Sequence, residues 1–165
     1  MKFIGTLSDK TNAAVKFVGF LLLSVMTAII VLQVFYRYVL SSSLSWSEES
    51  ARYIFIWIVM LGASMGVKEG FHVSVTILKE RLPGRIKGGV DMLFAFIMGI
   101  MAAAMVVYGW DIANTVAIQH SPAMRISMFW VYLSIPVSGL LIIVHLLARI
   151  VDIALAVKPS GRGGR

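Results

Sequence analysis

Two adjacent carboxylates, Glu48 and Glu49, stand with Arg52 at the head of an apolar run, in the stretch SWSEESARYIFIW from Ser45 to Trp57. Ser45-x-x-Glu48 has the form of a capping box, in which the serine hydroxyl and the glutamate satisfy amides of the first helical turn. Glu48 and Arg52 form an i, i+4 pair in the favourable orientation, and acidic groups suit the positive end of a helix dipole. Glu49 projects about 100° around the helix from Glu48. Its partner therefore lies off this helix, on another span or another chain. A proton or cation site fits poorly, because the pair falls at the end of the apolar run and membrane transport sites gather near the midplane. His72, His120 and His145 are the only imidazoles. The first two fall on opposite sides of the apolar segments and the third is alone, so neither an axial pair for haem nor a metal centre is expected. With no cysteine, thiolate ligands and thiol nucleophiles are excluded. No nucleophile with a base, carboxylate cluster or phosphate-cradling loop is present, so neither an enzyme nor a cofactor is expected.

The elements that carry these residues are set by composition. The chain has 165 residues, 59% of them hydrophobic and 14% charged, against about 25% charged in a soluble domain. A bilayer core of roughly 30 Å requires about 20 apolar residues per helix. Four such runs occur, near residues 13–36, 51–67, 90–110 and 127–147. The first is longer than a signal-peptide core and is read as retained. Phe71, Val75, Leu78 and Leu82 recur at helical spacing between the second and third runs, beside His72, and predict an amphipathic helix over 71–82 lying in the membrane plane until Pro83-Gly84 stops it. The expectation is an all-α membrane protein. Residues 1–157 form a single four-helix transmembrane domain, and 158–165 a flexible tail. The third helix is expected to break at Pro122, and Pro136 to kink the fourth.

The net charge of +7 does not point to nucleic acid, because it is sorted along the chain. Of the 15 basic residues, all but Arg37, Arg52 and Arg125 fall in the N-terminal segment, the connection between the second and third runs, or the C-terminal end. Lysine and arginine in short loops remain cytoplasmic, so both termini are expected inside. Tyr36, Tyr38, Trp46, Tyr108, Trp110, Phe129 and Trp130 then collect at the outer interface, where amphipathic rings are favoured. Arg37 is placed either to reach Glu48 or Glu49 or to snorkel. Gly62, Gly66 and Gly70 repeat every four residues, and Ala95, Gly99 and Ala103 offer a similar face on the third helix. Such faces let helices approach closely in lipid, either within the four-helix unit or against a partner.

The order Gln33, Arg37-Tyr38, Trp46-x-Glu48-Glu49-x-x-Arg52, Trp57, Gly62-Ala63, Gly70-x-His72-Val73, Ser121-Pro122-Ala123 and Ile135-Pro136-Val137 covers most of the chain. It resembles the small membrane (Q) subunit of tripartite ATP-independent periplasmic (TRAP) transporters. Arg125 stands where such proteins would carry glycine or a small residue. The resemblance implies a bacterial inner-membrane importer of three components. A periplasmic binding protein delivers an organic acid, a large (M-type) elevator subunit moves it with sodium, and the small subunit is a fixed scaffold without substrate or sodium sites. Arg37, Trp46, Glu48, Glu49, Arg52, Gly62, Gly66 and Gly70 are then assembly residues. Phe71, His72, Val75, Leu78, Leu82 and Trp110 anchor the scaffold at the lipid interface. An autonomous dimeric multi-span transporter, or the membrane anchor of a respiratory enzyme, would need mid-depth polar groups that the spans lack.

Overall fold

The computed structural model describes residues 2–80 and 84–156, with side chains described over 5–69, 89–90 and 92–151. The described chain is helical and contains no named strand. Its elements are α1 (Lys2–Val39), α2 (Ser45–Glu80), α3 (Gly84–Thr115), a 3-10 turn (Val116–Ile118), α4 (Phe129–Tyr132) and α5 (Ser134–Ala156). Four stretches are long and apolar enough to cross a membrane: Gly5–Val39, Ser45–Glu69, Met92–Ile118 and Phe129–Val151.

Burial along α1 follows a strict three-four alternation. Ser8, Asn12 and Val15 are buried, and Gly19, Leu22, Met26, Ile29, Gln33 and Tyr36 are half-buried. This seven-residue period keeps one narrow seam against a neighbouring helix over many turns, and that neighbour is chiefly α2. The rest of α1 is uncovered by the described chain, with Phe17, Phe20, Val31 and Tyr38 all exposed. Ser41 takes a left-handed conformation (φ 48°), and the Ser42 amide donates back to the Tyr36 carbonyl at 3.1 Å. Those two features end α1 and turn the chain toward α2.

α5 occupies the centre, packing on α3 and α2 and touching α1. Half of its most apolar stretch is buried within the chain, and none of α1's is. The α3–α5 seam carries Ala95 and Ala102 against Ile142 and Leu146, joined by Val67 of α2. Two glycines close it further. A Cβ on Gly139 would stand 2.9 Å from the Ala102 carbonyl oxygen, and one on Gly109 would stand 2.8 Å from Ile135 Cγ2. The face expected at Ala95, Gly99 and Ala103 is thus rotated, for Gly99 meets nothing and Ala103 is exposed. A seven-residue step drifts about 20° around a helix every seven residues and a four-residue step about 40° every four, so Ala95, Ala102 and Gly109 stay more nearly in line.

The other breaks depart from the sequence expectation in detail. α3 ends at Thr115 and its 3-10 extension at Ile118, before Pro122. The fourth span is interrupted at Leu133, between the bonds from the Leu133 amide to the Phe129 carbonyl and from the Val137 amide to the Leu133 carbonyl, which is where Pro136 withholds the amide that the Tyr132 carbonyl would receive. The helix expected over 71–82 is present to Glu80 as the direct continuation of α2. Leu82 and the tail from 158 lie outside the described residues.

Candidate functional site

At the end of the bundle carrying the 40–44 and 116–128 connections, α2 starts with Ser47 rather than a capping box. The Ser47 hydroxyl donates to the Leu44 carbonyl at 2.7 Å. Glu48 turns toward Arg52, which it meets at 3.5 Å with both side chains exposed. The Ser45 hydroxyl has no hydrogen-bond partner among the described residues. Serine bonding to a nearby carbonyl competes with capping in this way.

Glu49 reaches across to the long connection between α3 and α4. Its Oε1 accepts from the Ala123 amide at 3.1 Å and its Oε2 from the Met124 amide at 2.9 Å. The connection is folded to present them. His120 bridges Ser127, the Ser121 amide donates to the Ile126 carbonyl, and the Arg125 amide donates to the Ser121 carbonyl. Successive amides in such a turn make a concavity suited to a carboxylate. Arg125 adopts φ 58°, a conformation that favours glycine, which accounts for the small residue expected there. Ser127 ties the base of the turn to α3 by donating to the Ala117 carbonyl at 2.6 Å.

Beside this clasp lies a cleft of about 560 Å³ between α2, the connection and the start of the fourth span. Arg52, Tyr53, Gln119, His120 and Ser121 line its mouth, and Ile56, Met60, Val131 and Ile135 line its depth. Trp57 of α2 donates to the Trp130 carbonyl at 3.1 Å, and Ser138 of α5 donates to the Met60 carbonyl at 2.6 Å. Trp110 is half exposed and meets Phe129 edge-on at 6.2 Å.

The opposite end holds a polar lattice that sequence reading did not find. Lys68 pairs with Asp9 at 2.7 Å, and Lys16 pairs with Glu69 at 2.5 Å. Asn12 donates to Glu69 at 3.3 Å, and Ser8 bonds His145 Nδ1 at 2.9 Å. His145 is therefore not alone. The available signal was that Ser8 and Asn12 fall on the α1 seam, where an apolar residue would otherwise stand. Among the described residues, no three of His, Asp and Glu gather as a metal centre would require.

The remaining assembly candidates are dispersed. Arg37 is exposed at the end of α1 and forms no ion pair with Glu48 or Glu49. Trp46 is 40% exposed in the first turn of α2. A Cβ on Gly62 or Gly66 meets nothing within 4 Å, so no described residue packs against either glycine. Gly70, Phe71, His72, Val75 and Leu78 follow on α2, beyond the residues whose side chains are described.

Residues 26–156 match the family described as tripartite ATP-independent periplasmic transporters, DctQ component. The sialic acid TRAP transporter small permease protein SiaQ of Vibrio cholerae is 25% identical over 132 residues, which cover 80% of this chain and 76% of that protein. A putative TRAP transporter small permease protein of Haemophilus influenzae is 27% identical over 147 residues, covering 89% and 91%. The isethionate TRAP transporter permease protein DctMQ of Oleidesulfovibrio alaskensis is 31% identical over 144 residues. There the match takes in 81% of this chain but 22% of the relative, so the matched part is one portion of a longer permease polypeptide.

Proposed function

Because this chain belongs to the DctQ component family of tripartite ATP-independent periplasmic transporters, a family of permease subunits rather than enzymes, we propose that it is the stationary scaffold of a sodium-driven importer. In this reading the large permease subunit carries the substrate and sodium sites and slides against the scaffold, and a periplasmic binding protein delivers an organic acid. The open space beside Gly62 and Gly66 is the observation that carries the scaffold role. In lipid, apolar side chains supply little drive to associate, and a small-residue face left unfilled is what a partner helix needs. A sialic acid relative and an isethionate relative support an organic anion as the cargo class.

The proposed orientation puts both termini in the cytoplasm and the Glu49 end in the periplasm, within the bacterial inner membrane. Charge sorting supports it: Lys10, Lys16 and Lys68 share one end with the basic connection after α2. Trp46, Arg37, Glu48 and Arg52 then face the periplasm, available to the large subunit or to the docked binding protein. The stretch from Phe71 to Leu82, with Trp110 at the other interface, holds the scaffold at its depth. Glu49 contributes from inside, by fixing the connection on which any such contact depends.

Affinity purification of the chain from its native membrane in mild detergent tests the reading. A large multi-span permease subunit should come with it, and a clean preparation of this chain alone would count against the scaffold. Orientation is read separately. The chain has no cysteine, so Ser42→Cys should react with an impermeant maleimide in intact spheroplasts and Lys10→Cys should react only after lysis.

A further inference from the structure

We propose that the cleft beside the Glu49 clasp is a binding site for one glycerophospholipid, drawn from the bilayer leaflet at that end of the bundle. The shape of the lining carries the inference. From Glu49 to Met60 the cleft follows α2 for three turns, about 16 Å along the helix axis, and its polarity is graded over that length. At the mouth stand a guanidinium (Arg52), a phenol (Tyr53), an amide (Gln119), an imidazole (His120) and a hydroxyl (Ser121). Below them the lining is Ile56, Met60, Val131 and Ile135, joined by Tyr132 and by Ser134, whose hydroxyl is already spent on the Val131 carbonyl at 2.7 Å. A polar mouth above an apolar trench, within helices that span a membrane, matches a phosphodiester with its acyl chains better than a small acid, which would leave the trench unfilled.

Three further observations support an occupant of this chemistry. First, Trp46 and Trp130, 40% and 61% exposed, flank this end of the bundle, and exposed tryptophans mark headgroup level. The mouth therefore lies where phosphates lie. Second, the buried Ser121 hydroxyl faces the Glu49 carboxylate and helps to satisfy the acid at the mouth. Third, Glu49 is the one acid in the lining, and both its oxygens are already engaged by the Ala123 and Met124 amides. Arg52, hydrogen-bonded through a 3.5 Å contact to exposed Glu48 and also attracted by the Glu49 charge, can turn to a phosphate oxygen, as basic groups between transmembrane helices do with lipid headgroups.

The test uses the full chain purified in mild detergent and incubated with an equimolar mixture of dioleoyl phosphatidylethanolamine and dioleoyl phosphatidylglycerol. Native mass spectrometry then counts retained phospholipid as detergent is raised. One phospholipid should survive on the wild-type chain after the others are stripped. Its retention should fall roughly tenfold in Arg52→Gln, which removes the charge-assisted bond, and in Ile135→Trp, which fills the trench. Arg52 is exposed, so its variant keeps the test valid if Ile135→Trp misfolds. The proposal is overturned if no phospholipid outlasts the rest on the wild type, or if Arg52→Gln retains it unchanged. It is also overturned if Met60→Cys, in the native-membrane complex, cross-links efficiently to a partner polypeptide, because the trench would then hold protein. The lipid measurements are made on the isolated chain and do not depend on whether a large subunit co-purifies.

Discussion

Gly109 and Gly139 stand where an added methyl would strike Ile135 and the Ala102 backbone, whereas Gly62 and Gly66 face empty space. Both pairs lie on membrane-spanning helices, and a helix glycine carries the same conformational cost in either place. The first pair is consumed by packing inside the chain, and α5 can sit at the centre only because nothing projects there. The second pair meets no described residue within 4 Å. Small-residue patterns in membrane helices thus announce close approach without saying to whom, and only the packing distinguishes a seam from a socket.

The sharpest way to break this distinction is to fill both. Gly139→Val should be the most damaging change. Even Gly139→Ala overpacks a contact whose near atom is backbone and cannot swing aside, and overpacking costs about 1–3 kcal/mol. Thermal aggregation of the isolated chain in detergent should show the loss. Gly62→Leu with Gly66→Leu should leave that stability within about 0.5 kcal/mol but reduce co-purified large subunit roughly tenfold. Equal destabilisation of the isolated chain by both sets would erase the contrast. Glu49→Gln asks on which side of it the clasp belongs. An internal role predicts roughly tenfold faster amide exchange at Ala123 and Met124 with the helices unaffected, and unchanged exchange would assign Glu49 to an external partner. The smallest effect is expected from Arg125→Gly, which relieves a left-handed residue and should raise stability by on the order of 1 kcal/mol, read as a slightly higher unfolding midpoint.

The four spans and their helical character were legible because each is a long apolar run, and a bilayer admits few alternatives to a helix. The glycine repeat on α2 was legible as a face, though not as an open one. The α3 face was expected one position away, since a four-residue repeat catches the eye where a seven-residue seam holds the contact. Gly109 and Gly139 were passed over, because each is a lone glycine whose significance lies in residues 26 and 37 positions distant. Glu49 illustrates the same limit from the polar side. That it needed a partner off its own helix followed from its angle on α2, but the partners are backbone amides, which every residue offers and no side-chain type betrays. The lattice of Asp9, Lys16, Lys68 and Glu69 escaped because the first span was expected to begin near residue 13, whereas α1 is helical from Lys2.

The central position of α5 also sets an order in time. During synthesis the chain leaves the ribosome from its N-terminus, and α3 finds its main neighbour in α5. The Ser8–His145 bond likewise joins α1 to a residue made 137 positions later. Until those residues have been delivered to the bilayer, the first three spans have no keystone, and a truncated nascent chain would present Ala95, Ala102 and Val67 to lipid. Packing of these four helices is therefore a late, concerted event, because α5 follows the other three in the chain and is the helix they share.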